Sequence, residues 1–456
     1  MSARQLLFFL SLSILFFVSS ATIALLFGGG IMLSLGATFL FCGLGLLFFA
    51  PFALLGLLLS VRVVVDSVGD AWSLSFFDLF SITLAQGIGM SVFVFMLLFF
   101  LMHLRTIWRI PLFVSFFFLL LWGLFTLFYS ISPSPVLTTL YEVARMSTIF
   151  FIFALSFFTI KTKKDFSFLI AIICLSSFIP FLVCTWQFFT GVGYTDVAFD
   201  TPRIFGTFTH PNILSTYLVA VFAVSVLGFF ISHEAKLGRL RVLCVASGVF
   251  SLVFLILTFT RVGWITLLVF LLCISLVRFR RLLLPTLLLP FLLILLSSSV
   301  QERVFDSFVL SPDSSIGWRL SLWSDTINET ISGGRVFFGH GLNTFSQVAE
   351  GLRGNRFGST DPHNEFVRAF VEGGAIGLSV FLLFHFFAFR HLVRLYQRTK
   401  KDSFVQTSVL IVTCLFVALF FASLSDHIFR STPLQWILWS LIGGLSSLVV
   451  RQSPNN

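Results

Sequence analysis

Four polar clusters interrupt an otherwise apolar chain of 456 residues, and they carry the side chains that could do chemistry. The clusters lie at residues 202–212, 258–261, 317–323 and 361–365. They supply the candidate catalytic residues His363, Arg319 and Arg261 and the candidate substrate-binding residues Arg203, Asn212, Asn364 and Glu365. Arginine binds phosphate oxygens through a planar fork and stays protonated, whereas histidine exchanges a proton near neutral pH. Several arginines with one histidine therefore indicate a reaction on a phosphorylated substrate.

Each of these residues also has a purely structural interpretation. Arg203 at a helix end extends toward lipid headgroups as readily as it binds a substrate. His363 precedes an apolar run in which Asn364 has the position of a helix N-cap, so a loop or capping role is its alternative. Arg261 lies in a short turn between two apolar runs, where a charge is costly without a partner. A functional role is therefore favoured most strongly for Arg261.

Two further histidines and one charged stripe are left open by the pattern. His340 is a candidate substrate contact within the glycine-rich segment 338–341, and His427 lies in the last polar turn. Glu365, Arg368 and Glu372 follow helical spacing on one face, which is typical of an ion-paired stripe or of a solvated helix start. We favour the ion-paired stripe. The neighbouring glycines, Gly373, Gly374 and Gly377, indicate close helix packing.

Sequence motifs for metals and nucleotides are absent. The chain has no HExxH segment, no cysteine pair at metal-ligand spacing and no dense carboxylate cluster, so we expect neither a metal site nor a cofactor. It also has no Gly-Lys-Ser/Thr phosphate loop, which argues against nucleotide chemistry. All six cysteines lie within apolar runs, and no disulfide is predicted.

The composition predicts an all-α polytopic membrane protein. Hydrophobic residues make up 57% of the chain and charged residues only 11%. Runs of about 20 apolar residues recur, each long enough to cross a bilayer, and in lipid such runs must be helical. The net charge of +10 is attributed to basic cytoplasmic loops rather than to nucleic-acid binding.

The chain is predicted to form a single membrane domain, residues 1–456, with about 12–14 spans. One long polar loop, residues 298–365, interrupts the series and carries part of the site. The first apolar run is interpreted as an uncleaved transmembrane helix rather than a signal peptide. The predicted spans are about 6–27, 31–59, 76–103, 110–129, 138–160, 166–190, 212–232, 241–260, 262–277, 281–298, 366–389, 404–424 and 433–450. The run 31–59, broken at Pro51, is either one long helix or a pair of short helices.

Loop charges predict the orientation. Basic loops at 161–164, 236–241, 278–281 and 390–401 alternate with loops at 130–137, 191–211, 298–365 and 426–432. Because basic residues collect on the cytoplasmic side, the second set is assigned to the outer face. All four polar clusters then meet at that face of the cytoplasmic membrane.

In this order, the clusters resemble the O-antigen ligase and polymerase family of polytopic membrane glycosyltransferases. The resemblance covers roughly residues 130–450. One departure is Thr260, where the family more often has serine before the arginine. The segments that carry the resemblance are Gly206-Thr207-Phe208, Pro211-Asn212, Thr258-Phe259-Thr260-Arg261, Arg319 with Trp323, residues 338–345, Pro362-His363-Asn364-Glu365-Phe366 and residues 372–377.

The resemblance implies a donor glycan on polyprenyl pyrophosphate and an acceptor sugar hydroxyl, in polysaccharide or lipopolysaccharide biosynthesis of the cell envelope. A ligase would use lipid A–core as acceptor, and a polymerase another repeat unit. By the family pattern His363 is the base, and Arg319 and Arg261 bind the pyrophosphate. Transfer would be metal-independent and would invert the anomeric centre. The other expected partners are membrane lipids, and none is a nucleic acid.

Three alternatives to the ligase remain beside the polymerase. Protein O-oligosaccharyltransferases share the histidine-bearing loop but often carry additional C-terminal sequence. A transporter of lipid-linked sugars would place its charges near the membrane midplane, whereas this chain keeps most of its charges in loops and at span ends. A non-catalytic scaffold of envelope assembly is the third.

Overall fold

The computed structural model describes residues 30–68, 73–76, 80–196, 199–234, 236–288, 301, 314, 316–353 and 359–452. Within these ranges the protein is a bundle of apolar helices, and seven of them are long and apolar enough to cross a membrane. Several shorter apolar helices accompany them. The predicted fold class, an all-α polytopic membrane protein, is confirmed. The first predicted span, 6–27, lies outside the described residues.

The elements are labelled in chain order. The helices are α1 (Gly30–Phe49), α2 (Pro51–Val68), α3 (Leu84–Met102), α4 (Phe113–Phe125), α5 (Pro135–Thr159), α6 (Lys163–Ser176), α7 (Phe178–Thr190), α8 (Pro211–Glu234), α9 (Gly238–Leu257), α10 (Arg261–Val277), α11 (Gly317–Ser332), α12 (Phe345–Arg353), α13 (Glu365–Arg398), α14 (Ser403–Ala422) and α15 (Thr432–Gln452). Two short antiparallel hairpins join β1 (Ser73–Phe76) to β2 (Phe80–Thr83) and β3 (Tyr194–Asp196) to β4 (Phe199–Arg203).

Two predicted spans agree with the structure, and a third differs from it. The run 31–59 is the predicted pair of helices, because α2 starts anew at Pro51, whose ring is tolerated in a first helical turn but not in a helix interior. The run 166–190 lies within one candidate span, Lys163–Thr190, in which a turn at Ser177 separates α6 from α7. The run 76–103 begins as a β-hairpin, and its helix starts only at Leu84. Of the run 281–298, residues up to 288 are described.

The polar clusters lie together at one end of the bundle. Their residues precede α8, α10 and α13 and follow α9 and α14, so antiparallel packing brings them to the same side. At the opposite end Lys163 forms a salt bridge with Asp402, 2.8 Å between Nζ and Oδ2, which joins the starts of α6 and α14. The most buried of the seven long helices is α15, which packs against α5, α8 and α14.

The described part of the long polar loop folds as a small cap on α13. Helices α11 and α12 bury Trp318, Leu322 and Phe345 against Val371 of α13. The polar faces of the two helices are left for solvent, which explains why this stretch carries no span-length apolar run. Its assignment to the outer face stays a prediction.

Helix α13 is interrupted at Gly374, whose φ of 63° and ψ of −164° are not helical. The segment 336–341 hydrogen-bonds across the break, with His340 N–H donating to Val371 O at 3.0 Å and Ala375 N–H donating to Val336 O at 2.7 Å. A Cβ at Gly374 would lie 2.3 Å from the carbonyl carbon of Phe337. Gly374 therefore permits this backbone crossing, whereas Gly373 and Gly377 pack against the Trp122 ring as the glycine pattern predicts.

Candidate active site

The centre of the site is a buried carboxylate shared by two histidines. Nδ1 of His363 lies 3.1 Å from Oδ1 of Asp426, and Nδ1 of His427 lies 3.2 Å from the same oxygen. The backbone N–H of His427 also donates to it at 2.8 Å. His363 precedes α13 and Asp426 follows α14, so the pair exists only because the ends of these two helices meet.

The surroundings fix the ring of His363 in one orientation. Its backbone is held in the left-handed region at φ 45°, and the carbonyl of Pro362 accepts a 2.6 Å hydrogen bond from Nε1 of Trp323. The Trp318 ring meets the imidazole edge to face at 5.7 Å. Because Nδ1 faces Asp426, the other ring nitrogen, Nε2, is directed away from the carboxylate. The site therefore presents Nε2 as its proton acceptor.

The Asp426 carboxyl is kept ionised. Burial raises its pKa, but the hydrogen bond from His363 and the electrostatic influence of His427, His363 and Arg319 lower it by more, so the net pKa falls well below its usual range. The opposite balance holds for His427, where burial lowers the pKa more than the charge of Asp426 raises it. An ionised Asp426 can stabilise an imidazolium that forms when His363 takes up a proton.

Arg319 lies beside this centre. From the first turns of α11 its Nη1 donates to the carbonyl of Ser425 at 3.4 Å, one residue before Asp426. The guanidinium carbons of Arg319 and Arg353 lie 5.4 Å and 5.3 Å from the Trp318 ring centroid. A guanidinium at this position can stabilise negative charge that develops near His363.

Arg203 joins two of the polar clusters and is buried, with 5% exposure, so it does not extend to headgroups. Its Nε donates to Thr258 O at 2.9 Å, and its Nη2 donates to Thr260 Oγ1 at 2.8 Å and to Asn212 Oδ1 at 3.3 Å. The predicted substrate contacts Arg203 and Asn212 therefore bind each other. Arg261 starts α10 immediately after Thr260 and is connected to the site through that neighbour.

His210 extends the cluster toward Asp426. Its Nδ1 accepts a 3.1 Å hydrogen bond from the backbone N–H of Asn212. The pKa of His210 is lowered to about 4, chiefly by burial and also by Arg203, whereas Asp426 raises it. The influence of Asp426 links the 202–212 segment electrostatically to the His363–Asp426 pair.

Two predicted substrate contacts have structural roles in this arrangement. The side-chain oxygen of Asn364 caps α13, accepting from Phe366 N–H at 2.9 Å and Val367 N–H at 3.1 Å. Glu365 is fully buried, pairs with Arg368 and accepts from the Phe429 N–H at 3.1 Å. The described contacts of both residues thus shape the start of α13 and the 426–430 turn.

A second buried carboxylate, Glu142 of α5, supports the same turn. It pairs with Arg145 at 2.6 Å, with Arg430 at 3.5 Å and with Arg368 at 3.8 Å. Arg145 in turn donates to the carbonyl of Phe429 at 3.3 Å. The predicted ion-paired stripe agrees with the Glu365–Arg368 pair. Its ion pairs also extend to α5, and the residue spacing along α13 does not indicate that extension.

His340 is placed at the break in α13 rather than beside His363. Its backbone carbonyl accepts from Ile131 N–H at 2.9 Å, and among the described residues its Nε2 has no hydrogen-bond partner. Burial, with Arg335 adding to it, lowers its pKa to about 4. No contact between described residues joins its ring to the His363–Asp426 pair, so its substrate contact stays a prediction.

The central trio also has the donor set of a metal site. One ligand atom each from His363, Asp426 and His427 falls within 4.8 Å of the others, and two imidazoles with one carboxylate suit a divalent transition metal. Sequence motifs gave no sign of this, because the ligands come from two segments more than 60 residues apart. A chelator test separates this possibility from an acid–base role.

Sequence reasoning missed Asp426, His210, Glu142 and Arg145. The signal available for Asp426 was an acid next to a histidine in a short turn between two long apolar runs, where an ionisable group is costly without a partner. Glu142 and Arg145 carry a similar signal, since a charged pair at helical spacing lies within an apolar span.

Part of the chain is similar to a known protein family. Residues 246–382 match the family model described as O-antigen ligase. The matched stretch contains Arg261, Arg319 and His363, whereas Asp426 and Arg203 lie outside it. No curated protein matches the chain.

Proposed function

We propose that this protein is a membrane glycosyltransferase of the ligase type, and the match of residues 246–382 to the O-antigen ligase family model supports this proposal. It transfers a glycan from polyprenyl pyrophosphate to a sugar hydroxyl at the outer face of the cytoplasmic membrane. The favoured acceptor is lipid A–core, and a polymerase that joins repeat units is the alternative.

The observation that carries this proposal is the buried Asp426 carboxylate 3.1 Å from Nδ1 of His363. A carboxylate there favours the tautomer with hydrogen on Nδ1 and a free electron pair on Nε2. Such an imidazole can remove the proton of an acceptor hydroxyl as it attacks, and Asp426 then stabilises the imidazolium. A transporter or a scaffold has no need of this arrangement.

The reaction is a single displacement. The acceptor oxygen attacks the anomeric carbon, the bond from that carbon to the phosphate oxygen breaks, and the proton passes to Nε2 of His363. Polyprenyl pyrophosphate leaves with the electron pair, and the anomeric centre inverts. Arg319, beside the Asp426 turn, and Arg261, next to the Arg203 cluster, are the guanidinium groups proposed to stabilise the charge on the leaving group.

The proposed orientation rests on the distribution of charge. The site lies at the ends of helices that are opposite to the basic loops at 161–164, 236–241 and 278–281. Basic loops collect in the cytoplasm, which supports the outer side as the location of the site. Lipid-linked glycans presented on that leaflet can reach the site without crossing the membrane.

Transfer by purified protein in detergent or nanodiscs tests the proposal. Wild type, His363→Gln and the distant control His233→Gln are offered a polyprenyl-pyrophosphate-linked glycan, with lipid A–core and repeat unit as rival acceptors. We expect wild type and the control to transfer to lipid A–core, and His363→Gln to lose at least about 100-fold in rate. Transfer to the repeat unit alone would identify a polymerase, and donor binding without transfer to any sugar would contradict the proposal.

A further inference from the structure

His427 is the member of the central trio that the proposed mechanism leaves without a task. Its Nδ1 is buried and lies 3.2 Å from Oδ1 of Asp426, yet it makes no hydrogen bond with any described residue. A buried polar atom without a partner is destabilising, and native proteins rarely keep one that nothing binds. This ring nitrogen therefore points to a ligand held between His427 and Asp426.

The three donor atoms are spaced much as the ligands of a small metal ion are. Nδ1 of His363 lies 3.1 Å from Oδ1 of Asp426, and one donor atom from each of the three residues falls within 4.8 Å of the others. Zinc holds nitrogen and oxygen ligands at about 2.0–2.2 Å, which puts neighbouring ligands of a tetrahedral site about 3.4 Å apart. Side-chain movements of about 1 Å therefore bring all three donors to that spacing.

An adjoining cavity gives an ion a route to the trio. The cavity measures about 230 Å³, is partly open and lies near the starts of α8, α13 and α15, with His427 and Asp361 in its wall. That volume holds several waters, since each occupies about 30 Å³ in the liquid. Three protein ligands and one such water complete a four-coordinate zinc site. The carboxylate of Asp361 adds a negative charge beside the route.

Positive charge in the same wall opposes a cation. Arg62, Arg368 and Arg430 also line the cavity. Arg368 and Arg430 lie 3.8 Å and 3.5 Å from the buried carboxylate of Glu142, and Arg430 also donates to Asn343. A cation is therefore held by direct bonds to two imidazoles and one carboxylate rather than by the field of the cavity. This donor set favours zinc, whereas magnesium and calcium prefer oxygen ligands.

We propose that His363, Asp426 and His427 form a zinc-binding site, and that an ion bound there stops glycan transfer. The inference rests on the proposed function, because it takes His363 as the base that receives the acceptor's proton. Transfer itself remains independent of metal, as the sequence motifs predict.

The inhibition follows from the nitrogen that the ion occupies. The ion loses three bound waters and forms bonds to Nδ1 of His363, Nδ1 of His427 and a carboxylate oxygen of Asp426. In neutral His363 the proton of Nδ1 moves to Nε2, so no proton is lost overall, but the electron pair that would receive the acceptor's proton is gone. The ion also engages the negative charge of Asp426 that would stabilise an imidazolium.

Zinc titration of the purified protein tests the proposal, after a chelator has removed any metal. Free zinc is set with a metal buffer, and glycan transfer and zinc binding by equilibrium dialysis are measured on the same samples. For wild type we expect one zinc per chain and, at saturation, a kcat lowered at least about 100-fold, as loss of a general base predicts. The donor KM should stay within about twofold, and added chelator should restore the rate. Magnesium at the same concentration should not slow transfer.

His427→Gln removes one ligand and leaves His363 and Asp426 in place. The zinc concentrations for half-binding and for half-inhibition, the latter relative to the variant's own metal-free rate, should rise together. The expected rise is at least about 10- to 100-fold, the range for losing even an outer-shell partner of a metal ligand. His233→Gln, in the last turn of α8, is the matched control and should keep the wild-type values.

Three results would overturn the proposal. The first is the absence of binding and inhibition in wild type up to about 1 mM zinc, which decides the matter even if His427→Gln fails to fold. The second is inhibition equally strong in folded His427→Gln, which would place the ion elsewhere, as on the donor's pyrophosphate. The third is activation by zinc, which would assign a catalytic metal. Transfer by wild type, with or without zinc, decides the proposed function separately.

Discussion

Asp426→Asn is the substitution that most directly tests the catalytic geometry. Asparagine has the same shape as aspartate, so the packing around the 426–430 turn is preserved. The substitution removes the negative charge that lies 3.1 Å from Nδ1 of His363. It also lets the amide donate to Nδ1, which would place the ring proton on Nε2, where the base must be free.

The expected loss follows from the one interaction that is changed. A hydrogen bond to a charged group contributes about 1.5–3 kcal/mol, and each 1.36 kcal/mol corresponds to a factor of ten in rate. The stabilised species is the imidazolium that forms as His363 takes up the acceptor's proton. We therefore expect kcat to fall roughly 10- to 150-fold, with the KM values for donor and acceptor little changed.

Steady-state transfer kinetics measure this effect, with thermal unfolding in detergent as the check on folding. Asp165→Asn serves as the control, because Asp165 lies at the start of α6, at the opposite end of the bundle, and asparagine can still accept from the Thr162 N–H. The double variant Asp426→Asn/His363→Gln should be no slower than His363→Gln alone, since Asp426 acts through that ring. A folded Asp426→Asn protein with a kcat within twofold of wild type would refute the reasoning, and additive losses in the double variant would assign Asp426 a separate role.

Three other predictions concern backbone, pH and metal. Gly374→Ala should destabilise the protein by about 1–3 kcal/mol, because alanine is strained at φ 63°. The control Gly87→Ala, in open space on α3, should not destabilise it. Equal thermal unfolding temperatures for the two variants would contradict this prediction. The folded protein keeps His210 neutral with a pKa of about 4 against 6.5 for the free side chain, so the unfolded state takes up a proton first as the pH falls. Stability should therefore be complete above pH 6.5 and decline toward pH 4, and His210→Gln should remove up to about 1.4 kcal/mol per pH unit of that slope in unfolding measurements. Transfer should persist after dialysis against a chelator, whereas loss of activity that zinc restores would identify the two histidines and the aspartate as a metal centre.

The fold class could be predicted because bilayer physics acts on local composition. A long apolar run in a bilayer must be helical, and polar residues that are visible in the sequence mark the ends of each run. The N-cap at Asn364 followed from the same local pattern. Where the prediction of spans was wrong, at the hairpin before Leu84, the apolar pattern continued although the backbone conformation changed. Hydropathy alone does not detect a change of backbone conformation within an apolar run.

The candidate site was only partly predictable, for a different reason. His363 and Arg319 were found from residue type and loop position, and the structure joins them through Asp426 and Ser425. The substrate contacts expected of Arg203 and Asn212 stay predictions, and the structure shows these two side chains hydrogen-bonded to each other, with Arg203 also bonded to the 258–260 turn. No spacing rule links these residues along the chain.

The sequence by itself determined that this chain enters a membrane as helices, and that its arginines and histidines gather in a few polar segments. Local composition is sufficient to predict both features, because every apolar run enters the same lipid bilayer wherever it lies in the chain. The tertiary structure alone decided that Asp426 faces His363, that Glu142 pairs with Arg430 in the turn after Asp426, and that Arg62 of a distant helix lines the same cavity as His427. Those contacts depend on which helix ends pack side by side, and that is settled by the fit of whole helices rather than by any residue's neighbours in the chain.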